Sequence, residues 1–474
     1  FSLALGESLA APQGYLAAEE PAPDSLEDLP SVFDDISLAG DAVEPGRLIP
    51  GVVGSVRGRP DWLQDATLVL KPRSYYRYRD EGDGQIREAW AAGGSLEFHS
   101  GWLWDWLQIG LVGYTSQKVI GDLDRDPTGL LQEGQSGYSA LGQIYVQARY
   151  RTATAYLFRQ ELNIPFINRH DIRMTPNTFE AYFIGAEDPF EIEGLQLGGG
   201  HVTKIKSRTS SRFVPLSHHA GITHADRGVS VVGARYDVNE NAWLGATDQY
   251  GWDMWNTFYA QGEVKRQVPG TDLTVGAGLQ FAHQRSVGDE LDRDFDTHMH
   301  GATVAFSLRG FVTSIAYTDS ASSARVRSPW GGHPSFNSIM ISDFDRAGEE
   351  AIRLGLSYDA SEIGLEGISA FANFAHGEAP GGEGDQDEWN VTVDYRREDG
   401  LLKDFWLRVR GAQNRIEGDL YTVELEHPRR RGTFNSMVIG IVDNGHEEYL
   451  IVYTGRRKLK KYVKTWTKSV SYTH

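Results

Sequence analysis

TLVLKPRSYYRYR, residues Thr67–Arg79, is the stretch whose reading decides the fold. In an extended chain successive side chains point to opposite faces. Leu68, Leu70, Tyr76 and Tyr78 therefore share one face, and Lys71, Arg73, Tyr75, Arg77 and Arg79 share the other. One face suits an apolar phase and the other a wet one. The same split recurs in Gly142–Tyr150, where Ile144, Val146, Ala148 and Tyr150 oppose Gln143, Tyr145, Gln147 and Arg149. It recurs again in Ile352–Asp359, Trp389–Arg396 and Phe405–Arg410. Trp90–His99, Trp104–Thr115, Thr257–Arg266, Leu273–Gln284, Thr303–Tyr317 and Gly367–His376 alternate less cleanly. These segments have the length, about 8 to 13 residues, that a tilted strand needs to cross a bilayer.

Turn clusters separate them, some short (Val238–Asn241, Arg397–Gly400) and some long and acidic (Gly121–Gly137, Gly288–Asp296, Ala379–Asp387). Alternating short turns and long loops is the signature of a barrel with two different ends. About 16 to 20 such segments are counted, according to how the C-terminal region is read. No sustained 3.6-residue pattern appears. Gly198, Gly199 and Gly200 lie inside a strand pattern rather than ahead of a helix, so they are not a phosphate loop.

Composition sets the outer limits. The 474 residues include 53 Gly, 20 Phe, 21 Tyr, 12 Trp, 18 Pro, 5 Met and no Cys, with 65 acidic against 46 basic side chains. That is too long for one ordinary core and too rich in Gly and aromatics for a helical one. Disulfides and thiolate metal sites are excluded, and a net charge of −19 argues against general affinity for nucleic acid. No apolar run is long enough for a membrane-spanning helix. The negative mean hydropathy does not exclude spanning strands, which show lipid only every second side chain.

A sandwich or propeller in water alternates in the same way, with its apolar side facing a core. Two features favour the transmembrane barrel. The polar faces carry Arg, Lys, Glu and Gln beside Tyr, as a wet lumen requires. Aromatics also stand at segment ends (Trp90, Trp102, Trp104, Trp106, Trp389, Phe405), where interfacial girdles lie.

Three regions are expected. Residues 1–50 read as a signal remnant and a flexible acidic leader: an apolar start at Phe1–Leu5, a small-x-small site near Ser8–Ala11, then Glu19, Glu20, Pro21 and Pro23. Residues 51–428 read as the barrel. Residues 429–474 form an atypical basic segment with ten Lys or Arg against three acids, which leaves 36 basic and 62 acidic groups before it, a net −26. Met437–Val442 and Tyr449–Tyr453 are candidate closing strands. The alternative is that the tail, which ends at Tyr472, Thr473 and His474 rather than on Phe or Trp, is foreign to the barrel.

Several phrases carry a family resemblance. They are Tyr75-Tyr76 with Arg79-Asp80 and Arg87–Ala91; Thr128–Leu131 with Tyr138–Gly142; Asp171–Glu180; Gly194–Lys206; and Phe344–Glu349. In order and spacing the chain resembles the OprD-type porins, substrate-specific outer-membrane channels of Pseudomonas-like Gram-negative bacteria. The resemblance implies an all-β, transmembrane antiparallel β-barrel of 18 strands with inward-folded constriction loops. It also implies export through the periplasm, contact with outer-membrane lipid and lipopolysaccharide, and a monomer or loose homotrimer. Family substrates are small carboxylate-bearing solutes, namely amino acids and aromatic or aliphatic acids, drawn along a luminal row of basic side chains opposite a constriction loop.

The alternation supplies such a row. With Leu407 and Val409 facing lipid, Arg408 and Arg410 face the lumen; Arg396 and Arg353 do so by the same rule. Closing the barrel brings the first strand to the last, so Lys71, Arg73 and Arg77 join that wall. These seven are the candidate basic ladder. The alternative is that they pair with carboxylates such as Asp394 and Asp359 and set the barrel's shape. For the constriction, Asp171, Arg173, Thr178 and Glu180 match family positions, Pro176 stiffens the loop, and Asn168, Arg169 and His170 add donors. Tyr145 and Tyr259, luminal by alternation, are candidates for the eyelet lining.

His218, His219, His224, His298 and His300 lack a spaced carboxylate or Cys partner, so no metal is expected. No nucleophile elbow or other catalytic spacing appears, so neither an enzyme nor a cofactor is expected. A secreted, water-soluble carbohydrate-binding or glycan-active all-β protein is the alternative function.

Overall fold

The computed structural model describes residues 61–64, 66–80, 85–380, 384–397 and 406–416, with the short pieces 439–440 and 449–450. The expected leader and most of the basic tail lie outside the described residues. The chain climbs through β1 (Thr67–Asp80), β2 (Ile86–His99), β3 (Leu107–Gly121), β4 (Tyr138–Tyr150) and β5 (Ala153–Gln160). A two-residue pair follows, β6 (Asn163–Ile164) with β7 (Ile167–Asn168), then β8 (Thr178–Glu187), β9 (Leu195–Lys206) and the two-residue β10 (Val214–Pro215). Next come β11 (Val229–Asn239), β12 (Ala242–Gly251), β13 (Trp255–Gln267), β14 (Thr274–Ser286), β15 (Asp296–Leu308) and β16 (Phe311–Ser320). The last are β17 (Glu350–Asp359), β18 (Ile368–Glu378), β19 (Gln386–Arg396), β20 (Trp406–Ile416), β21 (Ile439–Gly440) and β22 (Tyr449–Leu450).

All but β6, β7, β21 and β22 belong to one 18-stranded sheet. Its neighbours are sequential and antiparallel, with β5 pairing β8 and β9 pairing β11 across the loops. The sheet curls until its two ends come near each other: Trp406 of β20 is buried in one apolar cluster with Tyr75 and Tyr76 of β1. The parity of the long strands makes β1 and β20 run in the same direction, so closure by antiparallel pairing calls for one more strand between them. The two-residue pieces β21 and β22, antiparallel to each other, lie beside both.

Burial is inverted relative to a protein dissolved in water. Leu68, Leu70, Ile184, Leu244, Leu279, Ile315, Leu354 and Phe374 are exposed on the outside. Gln143, Thr247, Gln249, Gln261, Gln280, Asn390 and Arg408 are buried inside. Lipid takes up the first set and a hydrogen-bonded lumen the second. Two glycines make this wall possible where aromatics cross it. A Cβ on Gly110 would sit 2.2 Å from the Tyr145 ring of the facing strand, and one on Gly142 would sit 2.4 Å from the Tyr114 ring.

One expected segment is corrected. Thr303–Tyr317 is not a single strand, because Arg309 and Gly310, both left-handed (φ 49° and 74°), turn the chain between β15 and β16. Two positive φ values are what a tight two-residue hairpin demands.

Candidate functional site

Two loops at the long-loop end fold back into the lumen, residues 161–177 after β5 and 321–349 after β16. The first is driven inward by its own composition: Leu162, Ile164, Phe166, Ile167 and Met174 are all buried. Polar luminal walls cannot offer these groups a core, so the loops pack on each other and on the few aromatics facing inward. Trp330 stacks on Trp255 at 4.9 Å with ring planes 6° apart, and its Nε1 donates to the Leu216 carbonyl at 2.9 Å. The Phe166 ring meets Tyr259 and His333 edge-on at 5.9 and 5.7 Å.

Asn168 is the pin between the loops. Its backbone N–H donates to the Trp330 carbonyl (3.3 Å), its Nδ2 donates to the Gly332 carbonyl (3.2 Å) and its Oδ1 accepts from the Gly332 N–H (2.8 Å). A Cβ on Gly331 would lie 2.6 Å from the Asn168 side chain, so only glycine lets the loops approach this closely. The second loop is tied to the wall as well: the buried Glu388 carboxylate accepts from the backbone N–H groups of Ile341 (2.9 Å) and Ser342 (2.8 Å).

Between loop 161–177 and the β1–β4 wall lies a narrow chamber of about 50 Å³, lined by Lys71, Arg73, Glu97, Tyr114, Glu161, Arg169 and Asp171 among others. Its charges come in pairs. Arg73 grips Asp171 with both terminal nitrogens (2.5 and 2.9 Å) and also donates to the Arg173 carbonyl (2.5 Å). Lys71 donates to Glu97 at 2.8 Å. Arg169 lies 3.6 Å from Glu161, whose carboxylate also accepts from the Tyr114 hydroxyl (2.5 Å) and the Gln143 amide (2.9 Å). Burial holds the Glu161 carboxyl above its ordinary range, against the opposing pull of Arg169. The His170 imidazole is pushed the other way, first by burial and then by Arg208 and Arg173.

Six of the seven ladder candidates stand along the wall that runs from β19 through β20 to β1. Arg77 donates to the Thr128 carbonyl at 2.6 Å, just above Arg73. Arg396 and Arg408 both stack on the Trp406 ring, each 4.3 Å from its centroid. Arg408 is fully buried and bonds both Asp394 oxygens (2.7 and 3.0 Å), while Trp406 Nε1 donates to the same carboxylate at 2.8 Å. Arg410, also buried, faces Thr392 across the strand pair. Arg353 stands apart, on β17, where it donates to the Asn373 side-chain carbonyl at 3.1 Å.

Of the constriction candidates, Asn168, Asp171, Arg173 and Pro176 lie in the inward loop. Arg173 reaches the Tyr75 hydroxyl at 3.5 Å, and the Pro176 carbonyl accepts from Lys206 at 3.1 Å. Thr178 and Glu180 stand on β8, the latter 3.0 Å from Lys204. Tyr145 is buried with its hydroxyl 2.9 Å from His99 Nδ1. Tyr259 is wholly buried, its ring covered by Phe166 and its hydroxyl donating to Gln261 at 2.7 Å.

Sequence reasoning did not single out Glu97 and Glu161, the counter-charges of the chamber. Glu97 was legible, since it alternates onto the face of Ser95 and His99. Glu161 was not, because it begins an aperiodic loop.

Comparison with known proteins fits this architecture. The family model described as outer membrane porin, OprD family, matches residues 60–429. Porin D of Pseudomonas aeruginosa is 23% identical over 398 residues, covering 76% of this chain and 88% of its own. Among solved structures, OccK9 (OpdG) of Pseudomonas aeruginosa is 26% identical with a TM-score of 0.70, covering 76% of this chain and 96% of its own. A BenF-like porin from Pseudomonas fluorescens is 20% identical with a TM-score of 0.69 over 76% and 95% of the two chains. OpdK of Pseudomonas aeruginosa, solved with vanillate, is 22% identical with a TM-score of 0.67 over 76% and 96%.

Proposed function

The chain belongs to the OprD family of outer-membrane porins, and from that premise we propose that it is a passive channel selective for small carboxylate-bearing solutes. As a family member it is an outer-membrane β-barrel channel for small solutes, not an enzyme. The finer reading, a carboxylate preference carried by the basic wall, rests on one observation above all. In the narrowed lumen Arg73 is held bidentately by Asp171, a carboxylate of the constriction loop.

That contact is a template for the solute. A carboxylate entering a narrow pore loses hydration, and a guanidinium replaces it with two parallel hydrogen bonds. A bare buried cation would be costly and would bind too tightly to conduct. A cation already engaged by a protein carboxylate or carbonyl holds an arriving carboxylate only moderately, because the solute must share the cation with the resident group. Arg77 with the Thr128 carbonyl, Arg73 with Asp171 and Lys71 with Glu97 are three such stations in sequence along β1. Several moderate stations conduct better than one tight site, because the solute must leave as readily as it enters. Arg396, Arg408 and Arg410 form a fixed positive backing to this row, with Arg408 locked to Asp394. Vanillate, the ligand in the OpdK structure, is an aromatic carboxylate and agrees with the class.

The test is liposome swelling with a panel of amino acids, carboxylic acids and neutral sugars. Lys71→Gln with Arg73→Gln should slow carboxylates about tenfold or more, the loss of a charge-assisted hydrogen bond, and leave neutral sugars unaffected. Equal slowing of both classes would reduce these residues to shaping the pore.

A further inference from the structure

Arg353 fits poorly into a single ladder. It lies on β17, and the recess it lines runs from β11 to β17, against the β1–β4 wall of the eyelet chamber. This second recess, about 350 Å³, is bounded by Asn239, Glu240 and Asn241. Those residues make the turn between β11 and β12 at the short-turn end of the barrel, so the recess opens at the opposite mouth from the long loops.

We propose that this recess is a second solute-binding station, on the exit side, for a carboxylate carried on an aromatic or apolar body. The inference rests on the carboxylate reading of the channel and adds a site to it. Phe336 descends from the inward loop 321–349 to roof the recess, and Trp243 stands in its wall. Small residues, Gly276, Gly278 and Ala305, leave its floor open. A Cβ on Gly278 would come within 3.2 Å of the Phe336 ring, so glycine there lets the ring sit close to the floor.

Two guanidinium groups flank this aromatic pair. Arg235 lies 4.5 Å from the centroid of the Trp243 ring and is oriented by Asp237, with Nε 2.8 Å from its carboxylate. Arg353 donates to the neutral amide oxygen of Asn373, a weaker partner than a carboxylate and therefore readily exchanged for one. Glu240, Glu263 and Lys265 also face the recess; the Glu263 carboxylate accepts from the Gln261 amide. Aromatic faces bury the apolar body of the solute and the guanidinium fork takes its head group. The eyelet chamber offers Tyr114, Val112, Met174 and Pro176 beside its charged groups. A solute released from Arg73 and Lys71 would thus be recaptured before it leaves.

Single-channel recording with benzoate tests this. The native channel should show two dwell-time components of benzoate blockade. Arg235→Gln with Arg353→Gln should cut the amplitude of one component about tenfold, the loss of a charge-assisted hydrogen bond, and leave the other intact. Arg353→Gln alone should weaken the same component, which guards against misfolding of the double variant. Arg73→Gln should remove the other component. A single component in the native channel, or two that survive Arg235→Gln with Arg353→Gln, overturns the second station while leaving the eyelet reading intact. Two components that both survive Arg73→Gln overturn the eyelet reading instead.

Discussion

Removing the Asp394 carboxylate should unfold the barrel's closing wall far more than removing the pair it belongs to. Asp394 accepts from Arg408 Nε (2.7 Å), Arg408 Nη2 (3.0 Å) and Trp406 Nε1 (2.8 Å), and both charged partners are essentially inaccessible. Asp394→Leu leaves a guanidinium buried without its carboxylate, a loss of about 3 to 5 kcal/mol. The stranded Trp406 indole adds about 1 kcal/mol. Asp394→Leu with Arg408→Met removes the charge as well as its partner and should recover most of the first quantity but not the second. The assay is the temperature at which the folded, fast-migrating form on unheated gels converts to the slow form. The single variant should convert well below the native protein and the double variant close to it. A double variant as unstable as the single one would refute the reasoning, since it would show that the loss does not come from the stranded guanidinium charge.

Other expectations follow from the same geometry. Because burial holds the Glu161 carboxyl above its ordinary range, acidification protonates it before a free glutamate. The chamber then loses one negative charge beside Arg169, Asp171 and Glu97, and anion selectivity should rise as pH falls below neutral. Glu161→Gln should show the raised selectivity already at neutral pH and lose that part of the titration; an unchanged titration of reversal potential in the variant would count against the assignment. Asn168→Ala deletes two side-chain hydrogen bonds to Gly332, about 1 kcal/mol each. It should therefore increase open-channel noise in planar bilayers without altering heat-modified migration. Gly110→Ala places a methyl group in the Tyr145 ring and should destabilise the barrel by about 1 to 3 kcal/mol; Gly110→Ala with Tyr145→Ala should relieve the clash, and failure to do so in the gel assay would contradict it.

Much of the fold was legible because a spanning strand writes its two environments directly into alternation, as β1 does with Leu68 and Leu70 against Lys71 and Arg73. Where the reading slipped, the cause was a change of phase. The outward positions run Val304, Phe306, Leu308 and then Phe311, Ile315, Tyr317, an even series followed by an odd one, and the Arg309–Gly310 turn is where the phase changes. The luminal side of the basic residues was read from the same alternation. Asp394 was named as a pairing partner from the sequence, but alternation gives only the side of the barrel on which a residue stands, and cross-strand register is what brings Asp394 opposite Arg408. The loops carry no period at all. Nothing in the spacing of Phe166, Asn168, Trp330 and Gly332 shows that residues separated by more than 160 positions interlock, and so the burial of Tyr259 beneath Phe166 was beyond a local reading. Arg353 likewise shares a luminal face with the other arginines in a linear reading, but the curvature of the sheet places it in a different recess.

The central claim is that this porin prefers carboxylates because of the basic row at its eyelet. Gluconate and glucose differ little in size and mainly in a carboxylate, so the ratio of their entry rates into proteoliposomes isolates that preference. Gluconate should enter faster than glucose through the native protein, and the ratio should fall to one or below in Lys71→Gln with Arg73→Gln; a native ratio at or below one, or a ratio the two substitutions leave unchanged, would contradict the account.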